Sequence, residues 1–277
     1  MFGFGQRHEV AFDGTMRMAF CADGTFEPVG ACVTQAPDDT VLVEGDSTAV
    51  AQAVRALSLD VDGRGFAEVG QRDPVIGRLQ AVAPGLRPPL FYSAYEAAAW
   101  CVLSARRPVR QMQAVRARLS AEHGRSFLLA GQEVSSFPSP AALLKVTEVP
   151  GLDHIKVERL HAVAAAALEG WLDTATLRAL DPAVARQQLE RLPGIGPFSS
   201  QLVVVRALGH TDVIPSEEPR AMAVIGELYG LGAPASAEQL ERISAPWSPF
   251  RTWALILARA ASGRLREPSL SARPTQS

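Results

Sequence analysis

Cysteine is scarce. Cys21, Cys32 and Cys101 are odd in number and share no metal-like spacing. That excludes a disulfide framework and a cysteine-held metal or iron–sulfur cluster, and reads as three reduced core residues. Long apolar runs are missing too: none approaches the ~18 residues that spanning a membrane takes. The opening "MFGFGQRHEVAFDG" has no signal-peptide core, so the expectation is a cytoplasmic protein with no membrane partner. Lysine is nearly absent. Lys145 and Lys156 are the only two, which leaves chemistry requiring an amine nucleophile few candidates. The histidines show no metal spacing either.

What is present is ordinary for a folded chain: 47% apolar and 20% charged residues over 277 positions. The formal net charge of −2 is unevenly spread. Residues 1–70 hold 4 Arg and no Lys against 11 Asp and Glu, so the remainder is net basic. A basic body with an acidic appendage suits a polyanion on one face, although random surface composition gives the same arithmetic.

The patterning changes near residue 70. Before it, "HEVAF", "TMRMAF", "EPVGACVTQ" and "TVLVEG" read as strands divided by turn signals such as Asp13-Gly14 and Asp23-Gly24. One helix follows at 47–59, with Ser47 as its N-cap and Val50, Val54 and Leu57 as its apolar stripe. After residue 70 the periodicity is helical almost throughout. The expected partition is a 1–70 sheet-and-helix domain and a 71–277 helical body, with room for two helical subdomains. The class is mainly α with a small α+β domain.

The stretch "LPGIGPFSSQLVVV" carries the sharpest local signal. Leu189, Leu192, Val203 and Val204 fall on the inner faces of two short helices, and Gly194 and Gly196 occupy the bend. Glycine there tolerates positive φ and admits a second backbone closely. Pro197 suits the first helical position. The amides of Phe198, Ser199 and Ser200 would then be free donors at a helix start, with two hydroxyls beside them, able to cradle a phosphate oxygen. A helix–helix corner with no ligand is the other reading of these residues taken alone.

Extended to "LERLPGIGPFSSQLVVVRALGHTDVIPSEEP", the segment closely resembles the signature of the helix-hairpin-helix DNA glycosylase superfamily over 189–205 and beyond. Blocks at 73–87, 95–108, 137–146, 159–170 and 245–256 follow in the order of its alkylation-repair branch, the 3-methyladenine DNA glycosylase II type. The resemblance implies a helical body with an N-terminal antiparallel sheet domain. It also implies a monofunctional enzyme that flips alkylated purines out of double-stranded DNA and hydrolyses the N-glycosidic bond. Neither a required cofactor nor a second subunit is implied. In some relatives the hairpin carbonyls matching Glu190, Leu192 and Ile195 hold a monovalent cation.

Residue by residue, the family's essential aspartate falls on Glu218, beside Glu217. The longer side chain would displace the carboxylate by about an ångström unless the backbone compensates. Phe198 and Phe250 stand where stacking aromatics are expected, with Trp247 close by, to line the pocket of the flipped base. Gly194, Gly196, Ser199 and Ser200 match the phosphate-gripping hairpin, and the basic turn of Arg106 and Arg107 matches a groove-contacting loop. The position of the lyase amine in other branches is Phe198, which removes Schiff-base chemistry. Two functions stay open. One is excision with Glu218 as carboxylate; the other is a weak or inactive relative that binds damaged DNA without cutting it.

Overall fold

The structure, a computed structural model, describes residues 12–215 and 218–265. Most of "HEVAF", Glu217 and the tail "SLSARPTQS" lie outside those residues. The chain is mostly helical with a small antiparallel sheet, and it divides into two compact units. One combines Met1–Asp60 with Pro89–Gly209; the other combines Val61–Pro88 with His210–Ser277. This is a different cut from the one that composition suggests at residue 70.

In the first unit, β1 (Thr15–Cys21), β2 (Pro28–Gln35) and β3 (Val41–Gly45) form an antiparallel sheet in that order, as the strand runs predict. Met18, Phe20, Ala31 and Val33 point inward. They meet Ala49, Ala53 and Ala56 of α1 (Ser47–Ala56). The expected stripe of Val50, Val54 and Leu57 is only half-buried, because small alanines allow the helix to lie closer. The N-cap is Asp46 rather than Ser47: its carboxylate accepts from the Ala49 amide at 2.9 Å. Why the sheet belongs with 89–209 is visible in its bonds. Tyr92 completes its core, Gln52 donates to the carbonyls of Cys21 and Tyr92, and Arg17 donates to those of Leu129 and Ala130.

Leu129 and Ala130 belong to a hairpin that helical periodicity hides. Strands β4 (Ser126–Leu129) and β5 (Gln132–Ser135) pair antiparallel about Ala130-Gly131, both at positive φ. Phe127 and Leu129 cover Gly30 so closely that a Cβ there would meet both at 3.2 Å.

The centre of this unit is α4 (Ala94–Ser104), buried on every side. It packs against α5 (Val109–His123), α7 (His154–Leu168) and α10 (Pro197–Val203). Short helices α6 (Pro140–Leu143), α8 (Thr174–Ala179) and α9 (Pro182–Leu189) fill the periphery.

The second unit gathers α2 (Phe66–Arg72), α3 (Pro74–Val82), α11 (Pro219–Leu228), α12 (Ala237–Ser244) and α13 (Arg251–Ala261). Asp73 organises its core. One oxygen caps α3 through the amides of Val75 and Ile76; the other accepts from Trp247 Nε1 at 2.8 Å and the Tyr229 hydroxyl at 2.6 Å. A buried carboxylate with this many donors is satisfied and ties three segments together. Among the described residues, no helix is long and apolar enough to cross a membrane.

Candidate functional site

The bend between α9 and α10 has the form its residues predict. Leu189, Leu192, Ile195, Val203 and Val204 are buried in the first unit's core and hold the two helices together. Gly194 adopts φ +88°, the left-handed region open to glycine. Gly196 is the N-cap, Pro197 the first helical residue, and a Cβ built on Gly196 would meet nothing within 4 Å. The corner is therefore bare. Helix α10 continues into a π-helical turn, Val204–Leu208, closed by Gly209 at φ +75°.

One donor differs from expectation. The Ser200 amide bonds the Gly196 carbonyl at 2.9 Å, and its hydroxyl, fully buried, donates to Glu190 Oε1 at 2.6 Å. Ser200 is small because it packs inside the hairpin, and it locks the bend rather than facing outward. The first-turn amides of Phe198 and Ser199 have no helical carbonyl to bond. Phe198 is 51% exposed and Ser199 half-buried. Of the three expected cation-holding carbonyls, that of Leu192 accepts the Ile195 amide at 3.0 Å, and its second lone pair is left for another partner. Among the described residues, no group of three His, Cys, Asp or Glu could hold a metal ion.

The basic turn lies in the same unit and is held by a residue that spacing alone does not reveal. Lys156, buried in the first turn of α7, donates to the carbonyls of Val102 (2.9 Å), Leu103 (2.6 Å) and Ala105 (2.9 Å). These are the orphan acceptors at the C-terminus of α4, where a cation is favoured. Burial pushes the Lys156 ammonium pKa down. Beyond this clamp Arg106 sits exposed at φ +55°, while Arg107 braces the turn by donating to the Gly151 carbonyl at 2.9 Å.

Glu218, Phe250 and Trp247 belong to the second unit. Glu218 is the residue before α11 and makes no side-chain cap. Its Oε1 instead meets Arg259 Nη1 of α13 at 2.5 Å, with the side chains 19% and 17% exposed. The loop leading to it is fastened to the start of α13. Arg251 donates to both carboxylate oxygens and the carbonyl of Asp212, and Thr252 Oγ1 accepts from the Val213 amide at 2.9 Å. Phe250 precedes α13 and is 7% exposed, its ring 5.7 Å from Phe66 and 5.4 Å from Trp253. Trp247 departs from the pocket expectation. At 0% exposure with its indole N–H spent on Asp73, it is a core residue with no open face.

No protein-family model matches the chain. Over 232 residues it is 31% identical to the probable bifunctional transcriptional activator/DNA repair enzyme AlkA of Mycobacterium tuberculosis, covering 80% of this chain and 45% of that protein. It is 28% identical to DNA-3-methyladenine glycosylase 2 of Escherichia coli, over 65% of this chain and 62% of that one. The 3-methyladenine DNA glycosylase structure from Archaeoglobus fulgidus superposes with a TM-score of 0.77 at 21% identity, over 94% and 90% of the two chains.

The chain belongs to the helix-hairpin-helix DNA glycosylase superfamily.

Its relatives lie on the alkylation-repair branch, and it spans about half the length of the first of them. In this chain the acid before α11, Glu218, pairs with Arg259, two turns into α13.

Proposed function

We propose that this chain is a monofunctional DNA glycosylase that removes alkylated purines of the 3-methyladenine type from double-stranded DNA. In this reading it acts in the cytoplasm as a monomer, with no required cofactor. The observation that carries the reading is Glu218: an acid at the start of α11 whose side chain does not cap the helix. The relatives' names supply the reaction class.

In the proposed reaction the C1′–N bond breaks and its electron pair leaves with the base. Positive charge grows on the sugar, where a fixed carboxylate lowers the barrier. Glu218 would supply that charge and accept a proton from water as the water oxygen bonds C1′. A free base and an abasic site result. An alkylated, cationic base leaves readily, so the protein's main task is extrusion and orientation. Main-chain contact at Gly194, Gly196 and Ser199 would position a phosphate without reading sequence. A monovalent cation on the carbonyls of Glu190, Leu192 and Ile195 would add positive charge there. Arg106 and Arg107 would meet the duplex. Phe198 offers an exposed ring on which a base stacks; Phe250 is proposed as the second aromatic.

One observation favours a second reading. The Arg259 guanidinium partly neutralises Glu218, which suits a protein that binds damaged DNA without excising the base. Base release from a duplex carrying one methylated purine separates the two. Release by the unaltered chain, lost in Glu218→Gln, supports excision. Tight binding without release supports the second reading.

A further inference from the structure

Helix α13 touches the loop before α11 at two levels. At its start, the Thr252 amide bonds the Thr211 carbonyl at 2.8 Å, and Arg251 donates to Asp212 through Nε and the backbone amide. Ser248 Oγ adds a bond to Asp212 Oδ2 at 2.9 Å. Two turns further on, Arg259 meets Glu218. The loop's start and its acidic end are thus fastened to one rigid helix. Helix α13 is well anchored itself, with Trp253, Leu255 and Leu257 buried.

A glutamate has one more rotatable bond than an aspartate, and a mobile carboxylate forfeits orientation. Here the end of that side chain is caught by an arginine whose own side chain is four-fifths buried. The contact runs from Nη1 of the arginine to Oε1 of the glutamate. Burial pushes the Arg259 pKa down, Glu218 offsets this, and Arg220 adds to the lowering.

We infer that Arg259 is a positioning residue for Glu218: α13 holds the carboxylate through it, which makes glutamate rather than aspartate the matching acid at this site. The inference rests on the excision reading above. Arg259 does not touch the substrate; it fixes where the charge stands.

Single-turnover base release and affinity for an abasic-site duplex are measured for the unaltered chain, Arg259→Met, Arg259→Lys, Arg259→Ala and Glu218→Asp. Arg259→Met slows release about a hundredfold while affinity stays within about twofold. Arg259→Lys, which keeps the charge, retains more of the rate. Glu218→Asp, too short to reach the guanidinium, is slowed like Arg259→Met, and the double variant that combines Glu218→Asp with Arg259→Met is no slower than Glu218→Asp. Added guanidinium ion restores rate to Arg259→Ala, a rescue that a folding defect does not show. Wild-type rates in the Arg259 variants, a faster Glu218→Asp, or losses that add in the double variant overturn the inference while leaving excision intact. No release from the unaltered chain overturns both.

Discussion

The side chain of Arg159 occupies the space that any side chain on Gly194 would need: a Cβ there would lie 2.7 Å from Arg159 Cδ. Two residues along the same bend, Gly196 faces open space. The two glycines are therefore bare for different reasons, one because the protein packs against it and one because it packs against nothing.

Alanine substitution separates these reasons. Gly194→Ala places a Cβ at φ +88° and against Arg159, so it destabilises the chain by about 1–2 kcal/mol from backbone conformation alone, with the steric cost added. Gly196, at φ −104°, accepts alanine with a stability change within about 0.5 kcal/mol. Its new methyl group stands where a phosphate would approach, so DNA affinity falls. Urea unfolding and fluorescence anisotropy with labelled duplex read the two effects.

Arg106 adopts a left-handed backbone conformation at an exposed position. Strain of this kind outside glycine is kept where it serves a contact. Arg106→Gly removes the strain and adds unfolded-chain freedom, so stability stays within about 0.5 kcal/mol. DNA binding weakens, and the slope of log affinity against log salt falls by about one. Binding titrations at three salt concentrations measure it.

Lys156 satisfies three carbonyls at once. Lys156→Met leaves them without that donor and costs about 1–3 kcal/mol. Because the same clamp fixes the end of α4 ahead of Arg106, the variant also binds duplex less tightly than its loss of stability accounts for. Affinity measured well below the melting temperature isolates that second effect.

Asp212 supplies a pH dependence. Burial raises its carboxyl pKa, but the bonds from Arg251 and Ser248 outweigh this and hold it below the ordinary value of 3.8. A carboxyl whose pKa is depressed by folding stabilises the folded state above its unfolded pKa, and that stability is lost as pH falls through the folded value. Asp212→Asn is thus less stable than the unaltered chain near neutrality. The gap narrows as pH drops below 3.8, which thermal unfolding across pH 6 to 3 detects.

How far the sequence discloses these features depends on range. The glycine–proline bend, its apolar flanks and the three strands are legible because turn chemistry and periodicity act over a few residues. The β4–β5 hairpin is obscured because each strand has only four residues and the turn is Ala-Gly rather than Asn-Gly. Ser200 looks like a ligand donor until its depth and its bond to Glu190 are known. Trp247 looks like a pocket aromatic until Asp73, far away in sequence, is seen to accept its N–H. The Lys156 clamp and the Glu218–Arg259 pair likewise join residues with no local relation, so only the folded chain shows them.

The most direct measurement is the distance from the Glu218 carboxylate to the anomeric carbon in a crystal structure with abasic-site duplex. The account predicts roughly 3 to 4 Å, with Arg259 still holding Oε1. A carboxylate turned away from the sugar, or a duplex bound without contacting the Gly196 corner, would contradict it.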